Sequence, residues 1–249
     1  MQRCGLSWQC LSCHTLTPTE KSCFKAMNAV LARPPFRVWD QGRREYSTGQ
    51  MVDRRADLNQ PAVLTPWLMI GDLGDVKDLA SGKLRNRTVT AVLNLCPTDM
   101  EEQERIDLRK QLASQGIQNY LESFAQDHTD YDIIQRDLAS SLQFAQQVHA
   151  SSGALLVNCY GGVNRSGAIV AALLMLIDKE PLVTAVTNLV AKRGYVLSNL
   201  SFRRQLVQLA AKHGLAAVPA ELEAAPAELT TTMSTLGVEL SGFPLYENA

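Results

Sequence analysis

From residue 61 onward the chain alternates short apolar runs with longer stretches of mixed polarity, and the two patterns predict different elements. Residues 62–70 are largely apolar, with Trp67 near the end, and Gly71, Asp72, Leu73 and Gly74 close the run as a strand entering a turn. Residues 89–95 (Val-Thr-Ala-Val-Leu-Asn-Leu) predict a buried strand bounded by Pro97. Residues 100–115 are charged, with Ile106, Leu108 and Leu112 interspersed, and stop before Gly116, which predicts a surface helix; residues 117–124 predict another strand. After Asp132, the residues Ile133, Ile134, Leu138, Leu142, Phe144, Ala145 and Val148 recur at helical spacing until Ser151, Ser152 and Gly153 interrupt them. Residues 154–157 form a short apolar run, and residues 168–177 are apolar nearly all round, so strand, glycine-containing loop and buried helix follow in order. Residues 181–192 and 202–213 predict two more helices, with Gly194 and Gly214 as stops. The alternation argues for an α/β domain with a mainly parallel central sheet flanked by helices.

The ends of the chain lack this periodicity. Residues 1–59 carry Pro34-Pro35 and scattered basic residues, and are expected to be a poorly ordered extension outside the core; residues 60–213 are expected to be the folded domain. Beyond His213 there is no Lys or Arg, and Pro-Ala-Glu-Leu occurs at Pro219 and again at Pro226, so residues 214–249 read as an acidic tail.

Composition sets outer bounds. A chain of 249 residues with 46% hydrophobic content can bury one substantial core plus appended sequence. Its 24 Lys and Arg nearly balance its 25 Asp and Glu, so no global field attracts nucleic acid or anionic lipid, and any anion site must be local. The apolar stretch 168–177 is well short of the roughly 20 residues that span a bilayer. The expectation is a soluble cytoplasmic monomer with neither nucleic acid nor membrane as partner. The first 39 residues hold one acid, Glu20, against Arg3, Lys21, Lys25, Arg33 and Arg37, so a mitochondrial or plastid transit peptide is the alternative. Four of the six cysteines, Cys4, Cys10, Cys13 and Cys23, crowd this leader. Cys10 and Cys13 with His14 have the spacing of half a zinc site, but one unpartnered pair fits a reduced leader better, and no metal or cofactor is expected.

The chemistry concentrates at residues 158–167: Asn158, Cys159, Tyr160, Gly161, Gly162, Val163, Asn164, Arg165, Ser166 and Gly167. A thiolate attacking a phosphate ester must ionise near neutral pH, and must sit beside a dianion without repelling it. A loop joining a strand to a helix N-terminus meets both demands, because its backbone N–H groups and the helix dipole favour negative charge. Residues 160–165 are therefore candidate phosphate binders. Gly161 and Gly162 would let the loop bend and leave room for phosphate oxygens. Arg165, with five residues between it and Cys159, can clamp two phosphate oxygens with its planar fork. Ser166 is placed to hydrogen-bond the sulfur when it leaves the phosphoenzyme. The plain alternative for Cys159 is an inert core cysteine; the flanking strand, glycines and apolar helix argue against it.

This segment resembles the signature of the cysteine-based protein tyrosine phosphatase superfamily, and its flanks resemble the dual-specificity branch. The flanks in question are Ala171-Ala172-Leu173-Leu174-Met175, and Arg193-Gly194-Tyr195-Val196-Leu197-Ser198-Asn199 leading to Phe202, Gln205 and Leu206. The likeness covers roughly residues 64–212. It implies about five strands flanked by helices, a cysteinyl-phosphate intermediate, no metal, and an aspartate upstream as general acid. Asp127 falls where the family places that acid; Asp130 and Asp132 are its rivals, with Asp130 also suited to plain loop solvation and Asp132 to capping the helix that starts at Ile133. The family usually has His before the nucleophile and this chain has Asn158, which predicts an active enzyme with a less stabilised thiolate. Uncharged Tyr160 and Val163 favour phosphorylated protein substrates (phosphotyrosine, phosphoserine and phosphothreonine) over phosphoinositides. A phosphate-binding pseudophosphatase or adaptor, and a phosphatase of phosphoinositide, nucleotide or RNA, are the alternatives. Arg54-Arg55 with Leu58 faintly resembles a kinase-docking stretch, which would make a protein kinase a partner, and equally fits a solvated face.

Overall fold

The computed structural model describes residues 16–32, 38–39, 45–47, 50–52, 61–84 and 89–220. Its first element corrects the expectation for the leader. Helix α1, Pro18–Leu31, begins with a reciprocal cap between Thr17 and Glu20 and buries Cys23, Ala26, Met27 and Val30 along one face. The i, i+3, i+4, i+7 spacing was present in the sequence, but the stripe is short and lies beside Pro34-Pro35 and the scattered basic residues of the leader. Three short strands follow, β1 (Val38–Trp39), β2 (Glu45–Ser47) and β3 (Gln50–Val52), paired antiparallel as a separate sheet. The leader cysteines up to Cys13, Arg54-Arg55 with Leu58, and the acidic tail beyond residue 220 lie outside the described residues.

The apolar run 62–70 is two strands rather than one. β4 (Ala62–Val63) and β5 (Leu68–Gly71) pair antiparallel. The turn between them is held by Leu64 N–H donating to the Leu68 carbonyl, and by the Leu68 N–H donating to the Thr65 hydroxyl at 3.1 Å. Pro66, which cannot donate to a ladder, sits in that turn. Then come α2 (Leu73–Ala80), β6 (Ala91–Asn94), a 3₁₀ turn (Pro97–Asp99), α3 (Glu102–Ser114), β7 (Asn119–Glu122), α4 (Ile133–Ala150), β8 (Leu155–Asn158), α5 (Arg165–Leu176), α6 (Leu182–Arg193) and α7 (Leu200–Lys212).

The main sheet has the order β4-β5-β8-β6-β7, parallel except for β4 at its edge. β5, β6 and β8 are buried at every position, as befits strands covered on both faces. Gly71, Asn94 and Asn158 lie abreast at the carboxyl ends of adjacent strands. The loops that leave those ends therefore gather on one edge of the sheet, where ligands bind in open α/β sheets. Helix α5, buried from Arg165 to Met175, is the centre of the helical layer, with α4, α6 and α7 packed on it and α1 laid against α6 and α7. Residues 214–218 turn back onto this layer, Leu215 accepting from Leu182 N–H and Ala216 buried, so the folded part runs a little past His213. No helix among the described residues is long and apolar enough to cross a membrane.

Candidate active site

β8 delivers Asn158 to the sheet edge, and seven residues later Arg165 opens α5, so the loop joins a buried strand to a helix N-terminus as the pattern predicted. Cys159 is 2% exposed, and its Sγ lies 3.2 Å from the Ser166 hydroxyl, within hydrogen-bond reach. The loop backbone is fastened from both sides: Leu73 N–H donates to the Tyr160 carbonyl at 3.2 Å, and Leu197 N–H donates to the Val163 carbonyl at 3.1 Å. The Tyr160 side chain stands out, 64% exposed.

The two glycines are not equivalent. Gly162 has φ of +66°, and a Cβ there would overlap Arg193 Nη2 and lie 2.8 Å from the Gly71 carbonyl oxygen. Gly161 has no such conformation, and its nearest neighbour to a Cβ would be Val163 Cγ2 at 3.8 Å. Conformational need therefore falls on Gly162 alone. Arg193, at the end of α6, backs the loop there and pairs with Asp72 at 3.5 Å and Asp75 at 3.6 Å. Burial, reinforced by Asp72 and only partly offset by Arg193, pushes the Asp75 carboxyl up to about 7.

Arg165 is 6% exposed, and its side chain reaches the segments that follow two strands, β6 and β7. Its Nη2 donates to Asp99 Oδ2 at 2.7 Å, and its Nη1 donates to the Leu95 carbonyl at 3.5 Å and the Ala125 carbonyl at 3.3 Å. Its Nε is buried with no hydrogen-bond partner among the described residues. Burial works against the guanidinium charge, but Cys159 and Asp99 outweigh it and hold the group above its ordinary value.

The three candidate aspartates separate by geometry. Asp127 reaches the loop: Oδ2 accepts from Asn164 Nδ2 at 3.1 Å, and Oδ1 accepts from Asn199 Nδ2 at 3.2 Å. Asp130 points to solvent, its side chain 84% exposed and 3.7 Å from His128. Asp132 caps α4 by accepting from Gln135 N–H at 2.9 Å.

Asn158 is fully buried, and its Nδ2 donates to Asn94 Oδ1 at 3.2 Å and sits 3.7 Å from Cys96 Sγ. Asn94 also accepts from the Cys96 N–H and thiol, and donates to the Tyr120 hydroxyl at 3.0 Å. Burial, then the neighbouring Cys159, pushes the Cys96 thiol up to about 12, so it stays un-ionised at neutral pH. Asp99, Asn94 and the side-chain role of Asn164 were missed in the sequence. The available signal was position: Asn94 ends β6, and Asp99 follows it in the turn, on the same sheet edge as the Cys159 loop.

Residues 73–212 match the family model described as "Dual specificity phosphatase, catalytic domain". Dual specificity protein phosphatase 19 of Mus musculus is 27% identical over 164 residues, which cover 64% of this chain and 65% of that protein. Dual specificity protein phosphatase 2 of Homo sapiens is 28% identical over 180 residues, covering 71% of this chain and 50% of that one. The chain thus spans less than two thirds of the length of these relatives. Among solved structures, the tyrosine phosphatase OH1 from the Orf virus superposes with a TM-score of 0.53 at 16% identity, over 75% of this chain and 96% of that one, a likeness of fold. With the family model spanning more than half of its length, the chain belongs to the dual specificity phosphatase family.

Proposed function

We propose that the chain is a phosphoprotein phosphatase that hydrolyses phosphotyrosine, phosphoserine and phosphothreonine monoesters through a cysteinyl phosphate on Cys159. The observation that carries this reading is the state of Arg165: both Nη atoms are tied to protein, and the buried Nε is left without a partner beside the Cys159 loop. A buried donor left unmade costs about 1–3 kcal/mol, and a phosphate oxygen is the partner that suits a guanidinium.

In the first step the Cys159 sulfur forms a bond to phosphorus as the ester P–O bond breaks, and the departing oxygen takes a proton from Asp127. In the second, the Asp127 carboxylate accepts a proton from water, the water oxygen bonds to phosphorus, and the S–P bond breaks. The Ser166 hydroxyl, 3.2 Å from Sγ, then donates to the thiolate that leaves. Water is the one co-reactant, and inorganic phosphate the product.

Two features support protein over polyphosphate substrates. Arg165 is the only basic residue in the loop 158–167, and among the described residues the charged side chains bonded to this loop are the carboxylates Asp99 and Asp127, while Arg193, paired with Asp72 and Asp75, packs behind Gly162. Such a rim suits a monophosphate and repels additional phosphates. The related proteins are named as protein phosphatases, which agrees with this by analogy. The test is turnover of an aryl phosphate by the purified chain, abolished in Cys159→Ser, followed by a panel of phosphopeptides, phosphoinositides and 5′-triphosphates. Preference for the lipid or nucleotide arm would overturn the substrate class. No turnover with tight vanadate binding would make the chain a phosphate-binding module.

A further inference from the structure

We infer that Asn164 and Asn199 are positioning residues that hold Asp127 over the phosphate loop before substrate arrives, an inference that rests on the acid role proposed for Asp127. Asp127 is an exposed side chain on an irregular segment between β7 and α4, a placement that by itself would leave its carboxylate free to sample many orientations. Instead each of its oxygens accepts one amide N–H, from Asn164 at 3.1 Å and from Asn199 at 3.2 Å.

The direction of both amides is forced by backbone donors, which cannot act as acceptors. Asn164 Oδ1 accepts from the Asn199 backbone N–H at 3.0 Å and from the Ser198 hydroxyl at 2.9 Å, so its NH₂ must face Asp127. Asn199 Oδ1 accepts from the backbone N–H groups of Ser201 and Phe202 at 3.0 and 3.4 Å, where it caps α7, so its NH₂ also faces Asp127. Three loops are thereby joined at one carboxylate: the segment after β7, the phosphate loop, and the segment before α7. Each carboxylate oxygen keeps a second lone pair, which is where the transferable proton sits. Preorganisation of this kind removes the entropy of finding a near-attack geometry from the chemical step.

Asn164→Asp and Asn199→Asp are the discriminating variants, because each keeps the oxygen that accepts from the backbone and replaces the amide that donates to Asp127 with a carboxylate oxygen that repels it. A general acid matters most when the leaving group is a poor one. Each variant is therefore expected to lose kcat/KM on phenyl phosphate by about tenfold or more beyond its loss on an activated fluorogenic aryl phosphate, the same skew shown by Asp127→Asn. In the full-length chain without substrate, amide hydrogen exchange over residues 125–131 should quicken in both variants. Equal losses on the two esters in these variants while Asp127→Asn shows the skew, or unchanged exchange, would overturn the inference. Faster exchange together with an Asp127→Asn variant that shows no leaving-group skew would keep the clamp and overturn the acid role instead.

Discussion

Asp99 Oδ2 accepts from Arg165 Nη2 at 2.7 Å, so the guanidinium at the end of the Cys159 loop is oriented by a carboxylate from the turn after a neighbouring strand. Arg165 is buried while Asp99 reaches solvent, so removing the carboxylate leaves the buried guanidinium without its counter-charge. Asp99→Ala is expected to lower kcat/KM on an aryl phosphate by roughly tenfold, and to weaken vanadate inhibition in parallel. Weaker turnover with unchanged vanadate affinity would show that Asp99 acts elsewhere.

Stability should fall with rising pH through the group behind the loop. The Asp75 carboxyl is raised from 3.8 to about 7 in the fold, so below pH 3.8 both states hold its proton and its burial stabilises fully. Between those values the unfolded chain releases a proton that the native state keeps, and the contribution is lost as pH rises through 7. The loss is on the order of 2–4 kcal/mol. Urea midpoints of the wild type at pH 5 and pH 8, set against Asp75→Asn, measure it; an equal pH response in both proteins would refute the assignment.

The two loop glycines should respond differently. Gly162→Ala places a methyl against the Gly71 carbonyl and Arg193 at a positive φ, displacing the loop, with an expected activity loss of about 100-fold. Gly161→Ala meets only an ordinary contact with Val163, and should fold with the midpoint of the wild type.

Asn158 bonds Asn94 and carries no titratable proton. Asn158→His is expected to raise turnover several-fold, about 1 kcal/mol of barrier, read as kcat on a small aryl phosphate. Unchanged kcat would mean that the Asn94 contact already orders the loop as fully as an imidazole would.

Met27, fully buried on α1, ties the N-terminal helix to the core. Met27→Ala should cost about 2–5 kcal/mol of unfolding free energy, seen as a lower denaturant midpoint. A change below 0.5 kcal/mol, which is ordinary for a surface site, would mean that α1 does not pack there.

Periodicity made the catalytic half of the molecule readable. The run 154–157, the glycine loop and the apolar helix were each local signals, and each sits where it was expected. Asp132 as a cap was equally local. The contacts missed were the long-range ones. Asp99 and Arg165 are 66 residues apart, and only the register of β6 beside β8 brings their loops together. Asn164 was read for its backbone, since nothing in a linear pattern shows that a side chain will cross to a loop 37 residues earlier. Helix α1 escaped because its single short apolar stripe lies in a leader that also carries Pro34-Pro35 and scattered basic residues, which read as loop sequence. The break of one apolar run into β4 and β5 was signalled by Pro66, which hydrophobicity outweighed.

Helix α6 carries α1 on its flank and ends with Arg193 pressed behind Gly162. Its twelve residues fix the spacing between those two tasks in units of about 1.5 Å and 100° per residue. A single-residue insertion near its end would thus swing the guanidinium about 100° off the loop, and two Asp residues would lose their cation in the same stroke. The length of this one rod is as much a part of the proposed site as any residue of the Cys159 loop.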